Sequence, residues 1–461
     1  MAEASREATG AAPQPLHVVV FPWLAFGHFV PFLELSEQLA RRGHAVTFVS
    51  TPRNVARLRL VSPRIRLLPL LLPSVDGLPD GAESTADVPP EKVDLLKVAF
   101  DTSTASPPLS PAFLTRLAPA GTHKVPCALF HICPAPFMAF IGPKAANDAH
   151  PRTTAEDLMA QPRWIPFPTT IAHRLHEARD MLVQTFRANA SGPSDACRLW
   201  QTEQRCPLVI LRGSREVDGP LGPFLADLFS KPVALCGLLA PYDAALAAQE
   251  GADHVDDESE SASLMRWLDE QPARSVIYVA FGSEAPLTGH HVRELALGLE
   301  LAGARFLWAL RGPSAALLPD GFEERVAVSG RGVVRVGWVP QGVTARGMAA
   351  RGVGLEVPRD EGDGSFGRDD VAATVRRVMA RDEEGEAFAR NAGELQAVLW
   401  DRAKQDEAVA DNLRTTCVTV PTPVAKVLEE DPYRIVRPVE GFYDRQGFDT
   451  SPHRRDLLDC A

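Results

Sequence analysis

His28 is the residue of this chain best suited to moving a proton. It follows the apolar run His17–Pro22 and precedes a segment in which Phe32, Leu35 and Leu39 recur at helical spacing. A neutral imidazole in the loop between a strand and its helix, at the carboxyl edge of a sheet, could take a proton from a substrate hydroxyl near pH 7. The bland alternative is a surface or helix-capping histidine. Ser283 follows the apolar run Val276–Phe281 at a strand-to-helix turn, where backbone N–H groups suit an anion. Trp338-Val339-Pro340-Gln341 reads as the end of a strand entering a binding loop, a core aromatic being the alternative for Trp338. Gly362–Gly367 fits GxGxxG, but Pro358–Glu361 precede it instead of a clean strand. A surface turn capping the next helix is the better reading. His290-His291 reads as a surface pair at a helix start, since no second cluster of metal ligands accompanies it.

The elements that must hold these residues follow from periodicity. His17–Pro22 and Ala45–Thr51 are β-rich runs on either side of a helical pattern, with Pro31 suited to the first turn and Gly43 to the C-cap. This is a βαβ unit, which builds parallel sheets with sites at the carboxyl ends of the strands. Val125–His131, Leu208–Arg212 and Val233–Cys236 are strand-like, and helical patterns lie near Lys92–Phe100 and Ile171–Arg187. A second α/β pattern starts at Val276. It takes in a helix over His291–Ala302, strands at Arg305–Leu310 and Val333–Gly337, a helix through Val371, Val375, Val378 and Met379, and another over Glu386–Leu413. Beyond Thr415 five prolines break any long element, so the reading there is an irregular tail.

The chain has 461 residues, 45% hydrophobic and 23% charged, ordinary for a globular protein of two or three domains. A net charge of −11 argues against a nucleic-acid partner, which would call for a basic face. No stretch approaches the roughly 20 apolar residues of a membrane helix, and Met1–Pro15 has no apolar core of a secretory signal. The expectation is a cytoplasmic chain whose seven cysteines, free of CxxC or zinc spacing, are thiols.

Several stretches together resemble the plant family-1 UDP-glycosyltransferases. They are Pro22–His28 with Pro31 and Leu35, Thr51–Asn54, Leu78–Thr85, Trp267–Asp269, Ser275–Ser283, Glu300–Arg311 and Trp338–Gln341. They span most of residues 17–414, and their wording is nearest to the branch that glycosylates flavonoid, terpenoid or steviol-type glycosides. The resemblance implies an α/β, GT-B-like fold with two Rossmann-like domains facing a cleft. It implies inverting transfer of a hexose, glucose by expectation, from a UDP-sugar to a hydroxyl of a small plant metabolite. His28 would be the general base, with Phe26 and Gly27 at the acceptor. Ser283 would contact the diphosphate, Trp338 stack on uracil and Gln341 contact the nucleoside. The UDP-sugar is a co-substrate, so no cofactor, metal or nucleic acid is expected, and the chain is expected to be a monomer.

The sequence departs from the family pattern in two places. The family's base is oriented by an Asp ending a strand that would fall between Leu114 and Val125, where Leu117–Lys124 runs straight into VPCALF. Asp101, in the preceding helix, is a poor substitute. After Gln341 the His-Cys-Gly-Trp-Asn-Ser run, the Glu and the Asp-Gln pair do not occur. Both domains are therefore expected to lack core elements. The expected division is an acceptor domain (1–239), an acidic linker (240–263), a truncated donor domain (264–414) and the tail (415–461). Three readings stay open. One is a glycosyltransferase. A second is an inactive descendant, either a small-molecule binder or the product of misjoined exons. A third is a nucleotide-dependent oxidoreductase, which the context of Gly362–Gly367 disfavours.

Overall fold

A computed structural model describes residues 15–58, 62–104, 127–239, 258–272, 274–280, 287–310, 316–335, 352–401 and 433–437. Among the described residues the larger sheet has seven parallel strands in the order β3-β2-β1-β10-β4-β5-β6. They are β1 (His17–Val20), β2 (Ala45–Ser50), β3 (Ile65–Pro69), β4 (Cys127–His131), β5 (Leu208–Leu211), β6 (Val233–Leu235) and, from the far end of the chain, β10 (Tyr433–Arg437). Both faces of such a sheet are covered, which is why β1, β4 and β5 read as unbroken apolar runs. Val18, Val20, Phe48 and Ile210 join Phe32 and Leu35 of the first helix, α1 (Phe26–Arg41), in one core cluster. Val19, Phe21, Trp23 and Val49 form another with Leu96 and Phe100 of α3 (Val93–Thr104).

Without β10 the order is 3-2-1-4-5-6, the doubly wound arrangement, whose ligands bind at the carboxyl edge where the strand order reverses. β10 lies in the slot between β1 and β4, with Tyr433 opposite His17 and Ile435 opposite Cys127. This corrects the reading of 415–461 as irregular throughout. Pro432 and Pro438 bracket the run Tyr433-Arg434-Ile435-Val436-Arg437 and leave its five residues uninterrupted. The facing edges of β1 and β4 carry backbone N–H and C=O groups that need partners. Residues 105–126, which span the position of the family's Asp-ending strand, lie outside the described residues.

The second sheet has three parallel strands among the described residues: β7 (Val276–Ala280), β8 (Arg305–Ala309) and β9 (Gly332–Arg335), in that order. Helices α9 (Gly289–Ala302) and α11 (Arg368–Met379) pack tightly beside it. A Cβ on Gly298 would lie 2.6 Å from the Val371 Cβ, so only glycine permits this approach. Arg368 fixes the pair with two side-chain hydrogen bonds to the Glu294 carboxylate. The acidic linker expected at 240–263 ends sooner, because Glu258–Asp269 is a helix, α8, with Leu264, Trp267 and Leu268 at helical spacing. Residues 240–257 are outside the described set. The helix expected from Glu386 is α12 (Glu383–Trp400). The halves touch through α5 (Leu175–Met181): Arg174 pairs with Glu356 at 2.5 Å, and Arg179 donates to the Gly362 carbonyl at 3.0 Å.

Candidate active site

The first helix begins earlier than the position of Pro31 suggests. Ala25 is extended, and its carbonyl accepts from the N–H groups of His28 (2.9 Å) and Phe29 (3.1 Å). His28 therefore stands in the first turn of α1, with Phe26 and Gly27, and not in the preceding loop. Pro31 is inside the helix and supplies no N–H to the Gly27 carbonyl, a small loss one turn from the end. The three residues expected on the acceptor side are thus brought together at the carboxyl edge of β1.

Two apolar and two polar contacts fix that turn. Phe100 of α3 stacks on Phe21 with centroids 4.7 Å apart and meets Trp23 edge-on at 5.0 Å. Thr85 N–H donates to the Leu24 carbonyl at 2.9 Å, tying the segment after β3 to the approach of α1. The Arg57 guanidinium lies 5.4 Å over the Phe26 ring. Thr51–Asn54 and Leu78–Thr85, far apart in sequence, are joined here. Arg53 N–H donates to Glu83 Oε2 at 2.7 Å, and Asn54 Nδ2 donates to the Glu83 carbonyl at 2.8 Å. Asp87 closes a capping box on Ser84 and faces Arg53 and Arg57. The two motifs form one buttress under the first turn of α1.

His28 keeps partial contact with solvent, yet its Nδ1 is buried and has no hydrogen-bond partner among the described residues. Burial, reinforced by a second imidazole, pushes its pKa from 6.5 down to about 3. That second imidazole is His131, the last residue of β4 and 3% exposed, which sequence reading did not single out. His131 Nδ1 accepts from Cys133 N–H at 3.2 Å, so in the neutral ring the proton sits on Nε2. Burial lowers its pKa to about 4. The signal available in the sequence was a histidine ending an apolar strand, at the same sheet edge as His28. Both rings are therefore neutral at pH 7, and burial holds His28 well below the range in which a general base works best, so a bound acceptor must offset that burial for it to take a proton.

Asp101 is engaged elsewhere. Its Oδ2 accepts from Arg198 Nη1 at 2.8 Å, and burial raises its pKa against the pull of that guanidinium. Arg198 is 3% exposed and belongs to α6 (Asp195–Arg205), a helix the sequence reading left unassigned. Lys97 and Asp195 add a second tie between α3 and α6, 2.8 Å long.

Ser283, Trp338 and Gln341 lie outside the described residues. The Gly362–Gly367 turn does not offer a phosphate cradle. Asp360 Oδ1 accepts from the Gly362 and Asp363 N–H groups, and the Asp360 carbonyl accepts from Gly364. Ser365 N–H donates to Asp363, and Gly367 N–H donates to Asp370 at the start of α11. With those donors taken, the turn caps a helix. His291 likewise closes the N-terminus of α9 with Thr288 and stacks on Phe366, centroids 5.3 Å apart. No group of three or more His, Cys, Asp or Glu that could hold a metal occurs among the described residues.

Comparison with known sequences decides the lineage. UDP-glycosyltransferase 91C1 of Arabidopsis thaliana is 35% identical over 434 residues, covering 81% of this chain and 91% of the relative. The chain belongs to the plant UDP-glycosyltransferases. The soyasaponin III rhamnosyltransferase of Glycine max is 32% identical, covering 86% of this chain and 94% of its own. The structure of Os79 from O. sativa, in complex with U2F and trichothecene, superposes with a TM-score of 0.61 at 18% identity. It covers 87% of this chain and all of that one, and it shows the GT-B fold. No family model matches the chain. As a family member the chain keeps the two-sheet α/β plan. No helix among its described residues is long and apolar enough to cross a membrane.

Proposed function

We propose that this chain is a UDP-sugar-dependent hexosyltransferase acting with inversion on a hydroxyl of a small plant metabolite or its glycoside. The observation that carries the proposal is the placement of His28, a neutral imidazole in the first turn of α1 at the carboxyl edge of the doubly wound sheet. His28 removes the acceptor proton as the oxygen attacks the anomeric carbon, and UDP departs from the opposite face. Phe26 and Gly27 flank the acceptor. Ser283, Trp338 and Gln341 serve the donor, which enters as a co-substrate with no resident cofactor. Glucose is the first sugar to test. The Glycine max relative is a rhamnosyltransferase, so UDP-rhamnose is the second. We further propose that the chain is monomeric and cytoplasmic.

One observation favours a second reading, a UDP-binding descendant without turnover. Among the described residues His28 Nδ1 has no acceptor to orient the ring, and Asp101 is held by Arg198. In catalytic triads, loss of the orienting carboxylate costs orders of magnitude in rate. Turnover of UDP-glucose or UDP-rhamnose with a flavonoid or steviol glycoside, lost on His28→Ala, supports transfer. A saturable heat on titration with UDP, without turnover, selects the second reading.

A further inference from the structure

Two thiols outside the proposed site meet at the opposite end of β4. Cys127 opens that strand and Cys206 is the C-cap of α6. They are 79 residues apart in sequence, yet their sulfurs are 3.3 Å apart, with the Cys206 S–H directed at Cys127 Sγ. Both stand as thiols. Cys206 is fully buried and Cys127 half-buried. Lys231 Nζ donates to the Glu203 carbonyl at 2.6 Å and to the Cys206 carbonyl at 3.0 Å, so the backbone carrying Cys206 is pinned. A disulfide requires sulfurs about 2.05 Å apart, which side-chain rotation over about 1.3 Å supplies with little movement of either backbone.

We propose that Cys127 and Cys206 form a redox-responsive staple, closed by a peroxide and reopened by a dithiol. Cys127 is the attacking sulfur because it reaches solvent, whereas Cys206 is fully buried. The Cys127 thiolate attacks one peroxide oxygen and the O–O bond breaks. Cys127 becomes a sulfenic acid, and the departing hydroxide takes a proton to leave as water. The Cys206 sulfur, losing its proton, then attacks the Cys127 sulfur. The S–S bond forms as the S–O bond breaks, and the sulfenic oxygen leaves as a second water. The two sulfurs together lose two electrons, which reduce the peroxide. A dithiol reverses the bond by exchange.

The bond would join the start of β4 to the end of α6. At about 3.3 Å per residue, this point lies about 13 Å along the strand from His131. The staple therefore acts on the rigidity of the larger α/β unit and leaves the His28 edge untouched.

The test uses the full native chain, treated with hydrogen peroxide, alkylated and digested with trypsin. We expect peptides 125–144 and 206–212 to appear linked, lighter by two hydrogens than their reduced sum, with fragment ions placing the bond on Cys127 and not on Cys133. Dithiothreitol restores the separate peptides. The oxidised chain should melt about 5 °C above the reduced one. Cys127→Ser should abolish both the link and the shift. Recovery of Cys127 as sulfinic acid with Cys206 still alkylatable, or a bond through Cys133, would overturn the proposal.

Discussion

The first turn of α1 and the turn at Asp360–Gly367 carry similar sequence signals, each a glycine-containing loop opening a helix, and their polar groups meet opposite fates. At the second turn, backbone N–H groups are taken by Asp360, Asp363 and Asp370. At the first, the buried Nδ1 of His28 stands without a partner among the described residues, near a second neutral imidazole. A buried polar atom without a hydrogen bond costs about 1–3 kcal/mol, so folds keep few of them. The second turn spends its own N–H groups on its own carboxylates, whereas the first leaves a ring nitrogen at the sheet edge for a ligand to meet.

This contrast breaks most readily at His28. Replacement by alanine should lower kcat/KM for sugar transfer by about 10²- to 10⁴-fold while the melting profile stays cooperative. A loss below tenfold would remove His28 from the chemistry. Next in size is the support behind the turn. Arg198→Ala leaves the Asp101 carboxylate buried without its cation and should cost about 3–5 kcal/mol in urea unfolding. A loss under about 1 kcal/mol would show that α3 and α6 are held mainly by apolar packing.

Folding holds His28 near 3 and His131 near 4, against 6.5 for a free imidazole. The unfolded chain therefore binds protons below pH 6.5 that the folded chain refuses. The stability contributed by the neutral rings is present above that value and is lost as pH falls toward 3–4. Melting temperature followed from pH 7 to pH 4 should fall, and His131→Gln should flatten the slope. An unchanged slope would mean that carboxylates dominate the acid limb. The smallest effect belongs to the self-satisfied turn. Asp360→Ala should cost about 1 kcal/mol and leave UDP binding unaltered, whereas weakened UDP binding by titration calorimetry would give that turn a ligand role.

Much of the site was legible because it is local. His28 sits between an apolar run and a helical pattern, and the motif Pro22–Leu35 names its lineage. The helix start was misplaced because Pro31 is the stronger sequence signal, while Ala25 caps through its backbone alone. Thr51–Asn54 and Leu78–Thr85 were legible as motifs, but their joint purpose was not. Glu83, which bonds both Arg53 and Asn54, lies about 30 residues away from them. For His131 the only local signal is its place at the end of an apolar strand, which a core histidine shares.

By itself the sequence determined the alternation of strands and helices, the family and the histidine proposed as proton acceptor. These follow from side-chain period and from residues adjacent in the chain. Tertiary structure alone decided that a run bracketed by prolines near the C-terminus pairs between β1 and β4, that His131 comes near enough to His28 to lower its pKa, that Arg198 holds Asp101, and that Cys127 meets Cys206. Backbone pairing and burial set those contacts by depth and proximity, and local periodicity carries no record of which distant segment will supply the partner.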